Sequence, residues 1–177
     1  MSKVGKLIKH VFEKHPIISN SVAYGILFVS SEISQQVVIK KILTEEKEPL
    51  DKKTIGRYAV YGTLLQGPYL TIWFRYLDSK LKGTAYKIVT QKVLLDQFLA
   101  TPPLYCLFFI AMSLLEGRED CTKELKEKFL TTFKTSCMFW LPVQTINFLL
   151  VPPSFRVIYV GTCSLTWVNI LCWIKRQ

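Results

Sequence analysis

Glu32 and Asp96 are carboxylates set inside long apolar stretches of the chain. An ionised carboxylate facing lipid is costly, so each must face protein or water. Amides and small polar residues stand around them at helical spacing. Ser21, Gly25, Glu32, Gln35 and Gln36 share one helical face, as do Gly62, Gln66, Tyr69 and Trp73. Trp140, Gln144 and Asn147 recur at i, i+4 and i+7, and Gln97 directly follows Asp96. The 3.6-residue period brings each such set to one side of a helix. Two uses suit these side chains. Glu32, Gln36, Gln66, Asp96, Gln97, Gln144 and Asn147 can line a hydrated route through a bundle. They can instead bond helix to helix, with the carboxylates at headgroup level or beside a base such as Arg57, Arg75 or Arg156.

The elements that position these residues are apolar blocks. Half of the 177 residues are hydrophobic, and the mean hydropathy is +0.25. The blocks run over about 16–39, 58–77, 92–115, 135–151 and 157–174. Each approaches the ~20 residues a helix needs to cross a bilayer. They are too long, and too little alternating, for barrel strands. The expected fold is an all-α integral membrane protein, one domain built as a compact bundle of four or five transmembrane helices. Residues 1–15 add a short amphipathic helix on the membrane surface, with Val4, Leu7, Ile8, Val11 and Phe12 on one side and Lys3, Lys6, Lys9 and Lys14 around them. Leu125, Phe129 and Phe133 mark an amphipathic lead-in to the fourth block, with Glu124 and Lys128 paired at i,i+4.

Charge gathers between the blocks. Residues 40–53 read as a solvated loop, residues 78–87 as a short basic connection, and residues 116–128 as a mixed-charge segment. If every block spans, the N-terminus, residues 78–87 and Arg156 share one side, and both sides are rich in Lys and Arg. The positive-inside rule therefore discriminates little. The formal charge of +10 comes from residues that flank apolar blocks and form no single stripe. That pattern favours lipid headgroups over nucleic acid as the partner. Trp73 and Trp173 fall near block ends, as an aromatic belt requires, whereas Trp140 and Trp167 lie deeper. Pro68, Pro102, Pro103 and Pro142 fall within or near spanning blocks and are expected to kink them, through packing alone or around a central cavity.

Enzyme chemistry finds no support. No phosphate-cradling or dinucleotide-binding glycine pattern and no nucleophile elbow occurs. His10 and His15 both lie in the N-terminal segment, so no histidine triad or metal centre can form in the bundle. The five cysteines lack C-x-x-C spacing, and four lie in apolar blocks, where a free thiol behaves as a small hydrophobe. No catalytic residue, metal or cofactor is expected.

Several motifs together resemble the Mpv-seventeen family, also called the peroxisomal membrane protein 22 family. They cover nearly the whole chain: His15-Pro16; Ile33-Ser34-Gln35-Gln36; Gly67-Pro68 followed by Trp73-Phe74 and Leu77-Asp78; Lys92, Asp96-Gln97 and Pro102; and Trp140, Gln144, Asn147-Phe148, Val151-Pro152 and Arg156. The stretch from Met112 to Arg118 looks closest to the Mpv-seventeen-like branch. Two departures stand out. Ser31-Glu32 occupies the place of the family's usual Gly-Asp, and Leu141 separates Trp140 from Pro142 where the family has Pro directly after Trp.

The resemblance implies a small protein of the mitochondrial inner membrane, or alternatively of the peroxisomal membrane. It further implies a weakly selective channel for small solutes, linked to mitochondrial homeostasis. The C-terminal Lys175-Arg176-Gln177 is not the Ser-Lys-Leu peroxisomal address. The alternative function is a non-conducting membrane organiser that uses the same polar faces for homo-oligomer contacts.

Overall fold

The computed structural model describes residues 10–38 and 49–176. Most of the amphipathic N-terminal segment, the centre of the first loop and the side chains at Glu124, Trp173 and Lys175-Arg176 lie outside the described residues. Residues 10–14 form a helical turn that bends at His15. Pro16 then opens α1 (Pro16–Val37), where its fixed φ suits the first helical position and its missing N–H costs nothing.

Helix α2 is composite: Lys52–Val60, a wide π turn over Tyr61–Gln66, then Gly67–Lys80. It starts earlier than the hydropathy suggests because Asp51 caps it. The Asp51 carboxylate accepts from the Thr54 hydroxyl at 2.7 Å and from the N–H groups of Thr54 and Lys53 at 3.2 and 3.0 Å. These bonds favour the charged form and hold the Asp51 carboxyl below its ordinary range. Lys52 and Lys53, read from sequence as loop, are thus the first turn of a helix. Helix α3 is also composite: Tyr86–Leu95, a π turn over Asp96–Ala100, then Thr101–Glu116. It stops at Gly117, whose φ of 71° places it in the left-handed region. There the Arg118 N–H reaches back to the Ser113 carbonyl at 3.0 Å. Helix α4 (Lys123–Leu150) includes the expected lead-in, and a short turn over Pro153–Phe155 leads to α5 (Arg156–Arg176).

The π turns fall just ahead of prolines. Gly67 N–H bonds back five residues to Gly62, immediately before Pro68, and Thr101 N–H bonds back five residues to Asp96, immediately before Pro102 and Pro103. A proline ring crowds the carbonyl four residues earlier and offers it no N–H. Widening the preceding turn makes room for the ring. The Thr101 hydroxyl also bonds the Asp96 carbonyl, at 2.9 Å. Helix α4 runs through Pro142 with no wide turn, and the Thr145 hydroxyl supports the Leu141 carbonyl at 2.7 Å.

Sequential helices run antiparallel. Helix α1 packs most closely against α5 and α2, α5 against α4, and α4 against α3. Contact between α2 and α3 is sparser, so the five helices form a ring with one loose seam. At Gly67, a Cβ would lie 2.7 Å from the Ser21 Cα, so only glycine lets α2 approach α1 this closely.

The burial pattern is inverted relative to a water-soluble bundle. Ile18, Val22 and Ile26 on α1, Leu64 and Ile72 on α2, Phe98, Leu99 and Leu114 on α3, and Leu130, Met138 and Leu150 on α4 are exposed. Meanwhile Asn20, Glu32, Lys92, Asp96, Gln97, Gln144, Asn147 and Arg156 are buried. Exposed apolar side chains on four helices, over a buried polar interior, fit an apolar surrounding. By length and composition, α1 and the whole of α3 (Tyr86–Glu116) are apolar enough to cross a membrane.

Candidate functional site

The ring encloses a cavity of about 250 Å³ to which all five helices contribute. At one end it reaches Glu32, Glu116 and Lys128, where α1 and α3 finish and α4 begins. Its walls are mainly aromatic, including Tyr24, Tyr61, Tyr105, Phe108, Trp140 and Trp167. At depth it meets Gln66, Asp96 and Gln144.

Asp96 is only 5% exposed. Its π turn turns the carboxylate toward α2 and α4 together. One oxygen accepts from the Trp73 indole N–H at 2.8 Å, and the other accepts from the Gln144 amide at 2.7 Å. The Gln144 oxygen in turn accepts from the Asn147 amide at 2.7 Å. This chain of bonds crosses from α2 to α4 and closes the cavity beneath Asp96. Tyr69, one turn above Trp73 on the same face, donates to the Ala100 carbonyl at 2.9 Å across the loose seam. The two π turns therefore lie on the two helices that the seam separates, and polar bonds stitch them together.

Below Asp96 lies a second polar layer. Asp78 pairs with Lys92 at 2.6 Å and with the Arg156 guanidinium. Lys92 is 3% and Arg156 5% exposed at the side chain, and Asp78 is 25% exposed. Both cations also lie over the Phe148 ring, at 5.6 and 5.2 Å from its centroid. Two cations sharing one carboxylate and one ring tie the ends of α2, α3, α4 and α5 together. The cavity thus extends toward one end of the bundle and is closed toward the other by two polar layers.

The expected polar residues divide into two groups. Glu32, Gln66, Asp96 and Gln144 border the cavity. Gln66 donates to the Tyr24 hydroxyl at 3.1 Å, and that hydroxyl lies 3.1 Å from Ser164 Oγ on α5. Gln36, Gln97 and Asn147 serve mainly as ties. Gln36 donates to Glu32 at 2.8 Å and holds the Asp51 backbone N–H at 2.7 Å, fixing the end of α1 to the start of α2. Gln97 is turned about 100° from Asp96, and it donates to Ser136 Oγ of α4 at 3.0 Å.

Two of the bases proposed as carboxylate partners, Arg57 and Arg156, go elsewhere. Arg57 donates to the Leu115 carbonyl at 3.1 Å, and Arg156 pairs with Asp78. Asp78 itself, read from sequence as part of a basic connection, is the centre of an ion-pair cluster. Its partner Lys92 had a legible signal. Both residues stand seven positions from Ala85 at the turn, and antiparallel helices joined by a short turn bring such positions face to face.

The fold and site together define a helical bundle with apolar outer faces and a polar-floored internal cavity. The chain belongs to the Mpv17 / PMP22 family, whose model matches residues 113–172. It is 36% identical over 165 residues to an Mpv17-like protein of Xenopus laevis, covering 93% of this chain and 79% of that protein. It is 37% identical over 165 residues to Protein sym1 of Aspergillus oryzae, covering 92% of each. It is 30% identical over 156 residues to PXMP2/4 family protein 4 of Dictyostelium discoideum, covering 87% of this chain and 83% of that protein. No solved structure matches the chain.

Proposed function

We propose that the protein is a small-solute conduit of an organellar membrane, captured closed. All five helices cross the bilayer in this reading, with their exposed apolar faces in lipid. The observation that carries it is the cavity between the helices, which is bordered by polar groups at its mouth and ends on Asp96. A helix bundle that only had to pack would fill that space. The proposed location is the mitochondrial inner membrane, with the peroxisomal membrane as the alternative. Family membership supports an organelle of this kind, and the basic N-terminal segment favours the mitochondrion. No enzymatic step is assigned.

The test is single-channel recording of the purified chain in a planar bilayer, beside Glu32→Gln and Asp96→Asn. Discrete openings whose conductance or selectivity changes in either variant support the reading. Openings unchanged in both sink the assignment of these carboxylates to the route. A silent bilayer, from protein shown to be folded and inserted, supports the organiser instead. The two closed layers beneath the cavity favour that second reading.

A further inference from the structure

We propose that the cavity binds a small organic cation of the quaternary-ammonium class, with the Asp96 carboxylate as its counter-charge. The inference deepens the conduit reading by naming the class of solute that occupies the same cavity.

Asp96 is buried and accepts a hydrogen bond on each oxygen from an N–H donor. Trp73 can only donate, so its partner oxygen is an acceptor. Two donors satisfy the oxygens of a carboxylate but leave its charge unpaired. Among the described residues the ion pairs join Lys92 and Arg156 to Asp78, and Arg118 to Glu116; none reaches Asp96. A buried carboxylate without a counter-charge either takes up a proton or is met by a cation, and the lining of the cavity favours the cation.

The walls specify which kind. A bare metal ion needs several oxygen ligands around it, yet no cluster of three potential metal-binding side chains occurs among the described residues. The wall above Asp96 is instead aromatic, with Tyr24, Tyr61, Tyr105, Phe108, Trp140 and Trp167 all bordering the space. Aromatic faces attract weakly hydrated organic cations.

A second observation points to an occupant. Tyr61 borders the cavity and is fully buried, and its hydroxyl has no hydrogen-bond partner. Such a group is costly unless something polar meets it. At about 250 Å³ the cavity falls below the roughly 300–1,000 Å³ of sites that hold drug-sized ligands, so the occupant is small.

The test is equilibrium binding to the purified full chain in detergent, read by intrinsic tryptophan fluorescence, since Trp140 and Trp167 border the cavity. Choline is titrated beside its uncharged carbon isostere, dimethylbutanol. Choline is expected to saturate with roughly tenfold or greater preference over the isostere, and Asp96→Asn to remove that preference. Tyr61→Phe, which removes the unpartnered hydroxyl but leaves the charge in place, is expected to weaken both probes, each of which carries a hydroxyl, without removing the preference. Equal binding of the two probes, a preference that survives Asp96→Asn in a folded variant, or no saturable choline binding would each overturn the proposal. The readout needs no conduction. A charge-dependent choline site in a protein that conducts nothing retains this proposal and defeats the conduit, whereas a conducting protein indifferent to choline does the reverse.

Discussion

Removing the carboxylate of Asp78 should damage the fold far more than removing the guanidinium of Arg156. In Asp78→Asn, Lys92 and Arg156 remain at 3% and 5% side-chain exposure without an anion between them. Stranding a buried charge costs about 3–5 kcal/mol. Phe148 faces both cations with or without the carboxylate, so its attraction does not offset that loss. For a chain of this length each kcal/mol moves Tm by about 2–4 °C, so Tm should fall by roughly 6–20 °C. In Arg156→Gln, Asp78 keeps Lys92 at 2.6 Å, no charge is stranded, and the loss should stay near 1–2 kcal/mol. Thermal unfolding of both variants and of the double variant in one detergent measures the difference. The double variant should cost less than the sum of the singles, because Arg156→Gln removes one of the cations that Asp78→Asn strands. Equal single costs, or strict additivity, would refute the two-cations-to-one-carboxylate account.

Three further outcomes follow from individual contacts. Gly67→Ala would bring a Cβ to 2.7 Å from the Ser21 backbone and force α1 and α2 apart; a loss of about 1–3 kcal/mol is expected in thermal unfolding, and a neutral result would contradict the close approach. Tyr61→Phe removes a buried hydroxyl that has no partner, so stability should hold or rise by up to about 1 kcal/mol, whereas a clear loss would reveal a bond the structure lacks. Asp51 has its carboxyl held below the ordinary range by Thr54 and Lys53. Its folded-state pKa is depressed, so its contribution is present above the unfolded-state value and fades as pH falls through the folded-state value. Amide exchange in the first turn of α2 should accelerate on acidification beyond the intrinsic pH effect, and Asp51→Ala should abolish that excess.

The helices were legible because their signal is local. Apolar runs at a 3.6-residue period specify α1, α3 and α5, and Leu125, Phe129 and Phe133 extend α4 back toward its start at Lys123. The start of α2 was hidden because Lys52 and Lys53 carry no apolar signal, and only the Asp51 cap marks it. Tertiary pairing was harder to read. The separation of 78 positions between Asp78 and Arg156 places them in different connections along the sequence, although short turns bring those helix ends together. Tyr24 carried no signal of its own in the sequence, because nothing in its helix reveals that Gln66 and Ser164 converge on its hydroxyl. Gln97 and Asp96 are adjacent in sequence but a third of a turn apart on the helix, so one ties α3 to α4 while the other floors the cavity.

The central claim is that the cavity is the closed form of a route shut by the two polar layers beneath it, of which the Asp78–Lys92–Arg156 cluster is the outer one. Release of a small neutral solute from proteoliposomes, comparing wild type with Arg156→Gln, tests it most directly. That variant keeps the Asp78–Lys92 pair while freeing the start of α5 from the cluster, so it should fold and release solute several-fold faster than wild type. Equal or slower release from a variant shown to be folded and inserted would contradict the claim, leaving the cluster a structural clasp and the cavity a blind chamber.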